Sequence, residues 1–544
     1  MPDTTFQPPG AGQWTAESAH AYGAMTPIGQ HLMRTGMTTG TAQTFSEYGL
    51  PAETLDCRFV HGHMYTRIRP LVSPDRTSTR PPPKALLRLA FRVHPELRRR
   101  ARRAERALAT QPWRGPVRQW YERERGQIES ENLALQRVAL GPLDDVSLAA
   151  HWSGALAHAE RLWTRHFVLH GYDLGPIGLL LVAGDDWGLK PEEMLPALQG
   201  ASPSTSEPAR ILGLLRAEIG RTGRSPASLD DVRAASPAAA AELDRYLELR
   251  GWHLVSRYDV DGLTLGEMPA VVLASIVDGS DVAAGIDAEA VAAGLRARVP
   301  ETEQDEFDDL LAEARLAMDL RDENGPFTVE WTGGLLRRAL LEIGGRLQAR
   351  GLLEAAEHVF ELGPAEVAPL LTKGDGPTAG TLAARATQRQ ADSALVLPHV
   401  LGPPEPPPPA DALPEATARL LRVVQAVLEL LDRQDRPHGL AGTGVGTATY
   451  RGRARRAQAP EDAIATLEAG DVLVVPYTTP AYNTVLPLAG AVVTAEGGPL
   501  SHAAVLAREL GIPAVVGVTG AHTIPDGATV EVDPTAGEVR ILTN

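Results

Sequence analysis

Lysine, cysteine and aromatic side chains are scarce in this 544-residue sequence. The single cysteine, Cys57, excludes an intrachain disulfide framework and any metal site built on several thiolates. Only three lysines (Lys84, Lys190 and Lys373) stand among 52 basic residues, so few positions are open to a catalytic lysine. The net charge of −16 denies the chain the basic surface that general nucleic-acid binding requires. One basic run, Arg98-Arg99-Arg100-Ala101-Arg102-Arg103, opposes that trend and reads as the solvated face of a helix. The most apolar stretch, Ile177 to Ala183, is far too short to cross a bilayer, and the N-terminus MPDTTFQPPG has no signal-peptide pattern. These absences lead us to expect a cytoplasmic protein with no membrane or nucleic-acid partner.

What is present is an ordinary globular balance, 43% hydrophobic and 22% charged, in a chain long enough for two to four domains. From about Ala85 to Glu361 apolar residues recur at helical spacing, as in Leu335, Leu336, Ala339, Leu340, Ile343 and Leu347. Between Thr38 and Pro70 the pattern is more extended, with His61 to Tyr65 as a turn entering a strand. The run Gly402 to Pro409 holds six prolines and marks the strongest boundary. A helix with Leu420, Val424, Val427 and Leu431 on one face follows, then a second break at Arg436-Pro437-His438-Gly439. Beyond it, short apolar runs alternate with glycine turns: 471–476, 490–494, 514–518, 529–532 and 538–542. One helix, Ser501 to Leu510, lies among these strands and is closed by Gly511 and Pro513. The expected fold is multidomain, α + α/β. Residues 1–400 form a large, mostly helical domain, 401–438 a proline-rich linker and connecting helix, and 439–544 a small β/α domain.

His502 is the residue in that last domain with the most chemical promise. It opens a helix, where unpaired N–H groups and the positive dipole end favour an anion. Ser501 is the expected N-cap, and Gly497 and Gly498 let backbone N–H groups approach a phosphate without Cβ interference. An imidazole nitrogen in that setting can carry a phosphoryl group covalently.

The pattern Thr494-x-x-Gly497-Gly498-x-x-Ser501-His502, followed by Ala507-Arg508-Glu509-x-Gly511-Ile512-Pro513, resembles the swivelling phosphohistidine domain of the phosphoenolpyruvate-utilising enzymes. The resemblance runs from about Gly439 to Leu542. It implies that His502 takes a phosphoryl group at one site and delivers it at another, with Thr494, Gly497, Gly498 and Ser501 around the phosphate. Within that family the domain order resembles the rifampin phosphotransferase group. Gly251-Trp252-His253 with Asp259, Glu267, Met268 and Pro269 resembles a block of its substrate domain. So does Arg321-Asp322-Glu323-Asn324 with Leu336-Arg337 and the segment Leu353 to Leu362. The resemblance thus nominates Arg321 and His253 as catalytic and Glu267 and Arg337 as substrate-binding.

Two departures qualify it. The helical region begins too early to leave room for an ATP-grasp domain, and no phosphate-binding P-loop appears. His253 stands where that group has arginine, and Gly325 where it has lysine. The expectation is therefore a phosphotransferase that binds no cofactor itself and is charged with ATP by a separate ATP-grasp partner. Its acceptor would be a small hydroxylated molecule. The alternative is a repurposed enzyme in which His502 and His253 act as acid and base in dehydration or isomerisation of a natural-product intermediate. His151, His158, His166 and His170 share one helix and, like His20, His61 and His63, read as core or cavity-lining residues, so no metal site is expected. Trp14, Trp152, Trp163, Trp252 and Trp331 read as core.

Overall fold

The structure is a computed structural model. It describes all residues except 1–5, 18–22, 224, 280–286, 432–438, 459, 479–481, 484 and 544. His20 and the break at Arg436 to His438 lie outside the described residues. Two compact units interleave along the chain. The first comprises Met1–Tyr172, Arg257–Gly262 and Phe327–Arg422, and the second Asp173–Ser256, Leu263–Pro326 and Val423–Asn544. Contact and chain order therefore give different partitions: both helical and β-rich segments contribute to the second unit.

The first unit holds a four-stranded antiparallel sheet in the order β2-β3-β1-β4. Its strands are β1 (Trp14–Ala16), β2 (Ala52–Val60), β3 (His63–Pro70) and β4 (Val400–Leu401). The hairpin turn falls at His61 and Gly62, both with positive φ. Residues 38–47, expected to be extended, instead finish the helix Pro27–Glu47. The reason is tertiary. Gly36 and Gly40 let that helix lie almost against the backbone of the helix Asp145–Asp186, where a Cβ on Gly40 would sit 2.7 Å from the Thr164 carbonyl. Trp152, Trp163, Leu336, Leu340 and Ile343 complete the core beside it.

The helix Asp145–Asp186, which contains the apolar stretch Ile177 to Ala183, is long and apolar enough to cross a membrane by length and composition. In its most apolar window 78% of the residues are buried inside the fold, the condition of a core helix.

The second unit joins the helices Pro203–Thr222, Pro237–Arg250, Pro269–Val277 and Gln304–Gly325 to a seven-stranded sheet. Its strands are β5 (Thr443–Val445), β6 (Tyr450–Arg456), β7 (Val472–Val475), β8 (Ala491–Thr494), β9 (Ala514–Val516), β10 (Thr529–Asp533) and β11 (Glu538–Thr543). The order is β11-β10-β6-β7-β8-β9-β5, with β6 through β9 parallel. Strands β7, β8 and β9 are buried at every position, which is why they read as continuous Val-rich runs without alternation. The helix His502–Leu510 crosses between β8 and β9. Ala503, Ala504, Leu506, Ala507 and Leu510 bury its apolar face with Leu212 and Leu215 of the helix Pro203–Thr222. Strands β5 and β6 were not foreseen. Both are short, glycine- or arginine-rich segments whose pairing partners lie far along the chain.

Candidate functional site

The parallel order of β7 and β8 builds the site. In an open α/β sheet the loops at the carboxyl ends of the strands are where ligands gather. The loop after β8 leads to His502, and the loop after β7 leads to Thr478. The strands stay in register past their ends: Ala495 N–H donates to Val475 O at 3.0 Å and Glu496 N–H to Pro476 O at 2.8 Å. This brings the buried Thr478 hydroxyl 3.0 Å from His502 Nδ1. Thr478 was not among the residues nominated from sequence. The pair is separated by 24 positions, and nothing local marks the threonine.

His502 is the first residue of its helix, and Gly511 closes that helix in the left-handed conformation. Gly497 has φ +104, and a Cβ there would meet the Ser501 hydroxyl at 2.8 Å. The tight loop needs glycine at that position.

The other expected phosphate ligands, Ser501, Gly498 and Thr494, differ in how their polar groups are satisfied. Ser501 has N-cap backbone geometry, yet its side chain makes no capping bond, and its buried Oγ has no hydrogen-bond partner. Gly498 N–H donates to Leu431 O at 3.0 Å, and Leu500 N–H to Leu430 O at 2.9 Å. These bonds satisfy two orphan carbonyls at the end of the helix Glu415–Leu431 and take the Gly498 donor out of the expected phosphate cradle. Thr494 is wholly buried, and its hydroxyl donates to Glu496 O at 2.7 Å, bracing the turn from inside.

Arg321 lies in the same unit as His502, on the helix Gln304–Gly325. Its guanidinium is 3.5 Å from the carboxylate of Asp173, which is fully buried. Burial pushes the Asp173 carboxyl up to about 7 against the pull of Arg321. Burial likewise raises Asp322 to about 6 and Glu509 to about 7, and lowers Arg508 to about 10.

Three nominated residues have structural duties instead. His253 is enclosed in the second unit, and desolvation lowers its pKa to about 3 while its ring bonds the Leu249 backbone. A histidine held neutral and away from solvent is a poor acid or base for a reaction at neutral pH. Glu267 closes a capping box: its Oε2 accepts from both Thr264 N–H and Thr264 Oγ1 at 2.9 Å. Arg337 belongs to the first unit, where it is buried over the Phe360 ring and donates to Asp261 O at 3.0 Å. That segment is further held by Arg389, which bonds Asp261 and Glu361, and by Asp259, which accepts from Thr26.

The histidines of the long helix are dispersed in role. His158 Nε2 meets Asn132 Oδ1 at 2.8 Å, and His166 and His170 pack edge to face with centroids 4.4 Å apart. Among the described residues, no group of three or more His, Cys, Asp and Glu side chains is placed to hold a metal ion.

Comparison with known proteins bears on the His502 region. A family described as "PEP-utilising enzyme, mobile domain" matches residues 467–537. A rifampicin phosphotransferase of Streptomyces sviceus is 45% identical over 112 residues, 20% of this chain and 13% of that protein. A phosphoenolpyruvate synthase of Aeropyrum pernix is 45% identical over 100 residues, 18% of this chain and 12% of that protein. Chondramide synthase of Chondromyces crocatus is 28% identical over 572 residues, covering 97% of this chain and 14% of that protein. The chain therefore spans only a small fraction of each of these relatives. Residues 467–537 are a mobile domain of the PEP-utilising enzyme type, homologous to the one in rifampicin phosphotransferase, and His502 opens its central helix.

Proposed function

We propose that this chain is a phosphotransferase in which His502 carries a phosphoryl group to a hydroxyl of a small molecule. The observation that carries the reading is the His502 ring itself, at the mouth of a helix beyond a parallel strand, with Nδ1 engaged by buried Thr478. With Nδ1 held by Thr478, Nε2 would be the nitrogen that takes the phosphoryl group. In the first step Nε2 attacks phosphorus, a P–N bond forms, and the donor's P–O bond breaks with its electron pair leaving on the donor oxygen. In the second step the acceptor hydroxyl oxygen attacks phosphorus, the P–N bond breaks, and the hydroxyl proton is lost to solvent. Arg321, steadied by Asp173, would bind phosphoryl oxygens during transfer.

The nucleotide-derived phosphate would come from a separate ATP-grasp protein. The helical part of the chain would hold the hydroxylated substrate, and a cytoplasmic location belongs to the same proposal. The acid–base alternative needs a second group beside His502. The enclosed, neutral His253 does not supply it.

The test needs no identified partner. Phosphoramidate, a small donor that phosphorylates histidine, is incubated with the protein and with His502→Ala, followed by peptide mass spectrometry. The expected result is one acid-labile phosphoryl group on His502. Unmodified His502 under conditions that phosphorylate free imidazole would overturn the reading.

A further inference from the structure

Two short segments concentrate charge of opposite sign. Residues 98–106 hold six arginines against one glutamate, and residues 301–309 hold six carboxylates with no basic residue. The first segment lies on the helix Pro95–Thr110. Arg99 and Arg100 are held by Glu96, and Arg103 reaches Ser46. Arg98, Arg102 and Arg106, at i, i+4 and i+8, form an exposed row with no ion-pair partner among the described residues. With Pro95, Arg99 and Arg103 they line a cleft of about 520 Å³. The second segment is the turn Glu301–Glu303 and the start of the helix Gln304–Gly325. Arg296 holds Asp308 at 2.8 Å and comes within 3.8 Å of Asp305, which is fully exposed. Glu301, Glu306 and Asp309 are exposed and have no ion-pair partner among the described residues. Asp305 and Asp309 repeat the one-turn spacing of the arginine row, and Glu301 extends it. Each row ends in an exposed apolar side chain. Val93, 63% exposed, closes the helix Lys84–Val93 just before Pro95 and shares a face of that helix with the exposed Leu86 and Leu89. Leu316, 45% exposed, lies on the face of Asp305 and Asp309, two turns beyond Asp309.

We propose that these rows dock on each other between two copies of this chain. The helices run antiparallel, with Arg98 opposite Asp309, Arg102 opposite Asp305 and Arg106 opposite Glu301. In that direction the apolar ends meet as well, Val93 against Leu316. The rows match because each four-residue step along a helix rises about 6 Å, so successive pairs stay aligned. Single surface ion pairs contribute little, whereas a row of them ending in an apolar contact acts as a network and steers the encounter. A membrane surface fits the arginine face less well. Interfacial helices present Trp and Phe to the lipid, and here Phe91, the aromatic residue of the helix Lys84–Val93, is buried. The contact joins two unlike surfaces, so it can close on two copies or run on to more.

The test is sedimentation velocity of the full chain at about 0.05 M and about 0.5 M salt, between which the screening length falls from about 14 Å to about 4 Å. Association that depends on protein concentration is expected at the lower salt, weakened about tenfold or more at the higher. Reversing the arginine row with Arg98→Glu, Arg102→Glu and Arg106→Glu should abolish it, and so should Asp305→Arg with Asp309→Arg. A chain carrying both sets of changes should associate again, because the two signs are exchanged together. Wild type that stays monomeric at the lower salt would overturn the proposal. So would association that survives either reversal, or that fails to return in the fully exchanged chain when its melting temperature matches wild type. If a reversal lowers the melting temperature, the neutral sets replace it: Arg98→Gln, Arg102→Gln and Arg106→Gln, or Asp305→Asn and Asp309→Asn. The same loss is expected of them, and persistent association would count against the proposal equally. Monomeric protein that binds phosphatidylserine vesicles through the arginine row would likewise overturn the second copy as occupant.

Discussion

Replacing Thr478 with valine removes one hydroxyl and little else. The side chain is isosteric and its site is 7% exposed, so no cavity forms and no charge is disturbed. What disappears is the 3.0 Å contact with His502 Nδ1. A neutral hydrogen bond of this kind is worth about 1 kcal/mol net, which converts to about a fivefold effect on a rate or equilibrium that depends on it. Thr478→Val should therefore slow phosphoramidate labelling of His502 about fivefold. It should also weaken the preference for Nε2 over Nδ1, because the Thr478 hydroxyl no longer holds Nδ1. Thr478→Ser, which keeps the hydroxyl, should retain both rate and preference. The regiochemistry is read from the two phosphohistidine isomers after alkaline digestion, since both survive base. Wild-type rate and isomer ratio in Thr478→Val would show that the threonine does not orient the ring, and the assignment of transfer to Nε2 would lose its structural basis.

Asp173 predicts a pH signature. Its folded carboxyl titrates near 7, well above the unfolded value, so the proton is held more tightly in the folded state and stability is lost as pH rises from about 4 through 7. A shift of about three units corresponds to at most about 4 kcal/mol. Asp173→Asn should flatten the fall in melting temperature between those pH values, and an unchanged slope would refute the assignment. Gly497→Ala forces φ +104 on an alanine and drives its Cβ to 2.8 Å from Ser501 Oγ. A cost of about 1–3 kcal/mol is expected, seen as a lower melting temperature together with reduced His502 labelling. In the first unit, Arg389→Ala strands the buried Glu361 carboxylate and should destabilise by about 3 kcal/mol in denaturant unfolding. The double change Arg389→Met with Glu361→Gln should recover much of that loss.

The parts of this protein that sequence alone determined are those written in short-range code. The glycine pair, the helix formers after His502 and the left-handed Gly511 specify a loop and a helix whose signals span a dozen residues. The Val-rich runs that became β7, β8 and β9 likewise needed only their own composition to be read as buried strands. Tertiary structure decided what each polar group is for. Thr478 reaches His502 because two strands lie parallel and in register, a relation no local pattern encodes. Gly498 offers its N–H to a helix end rather than to an anion because Leu431 arrives there first. Likeness of position is all that nominates His253, Glu267 and Arg337. Burial, a capping box and a backbone contact then claimed them, because an ionisable or polar side chain inside a fold takes the partner its surroundings provide. Gly36 and Gly40 show the same division in the fold itself. They weaken a helix in isolation, yet the approach of a second helix makes their missing side chains the reason that helix runs on to Glu47.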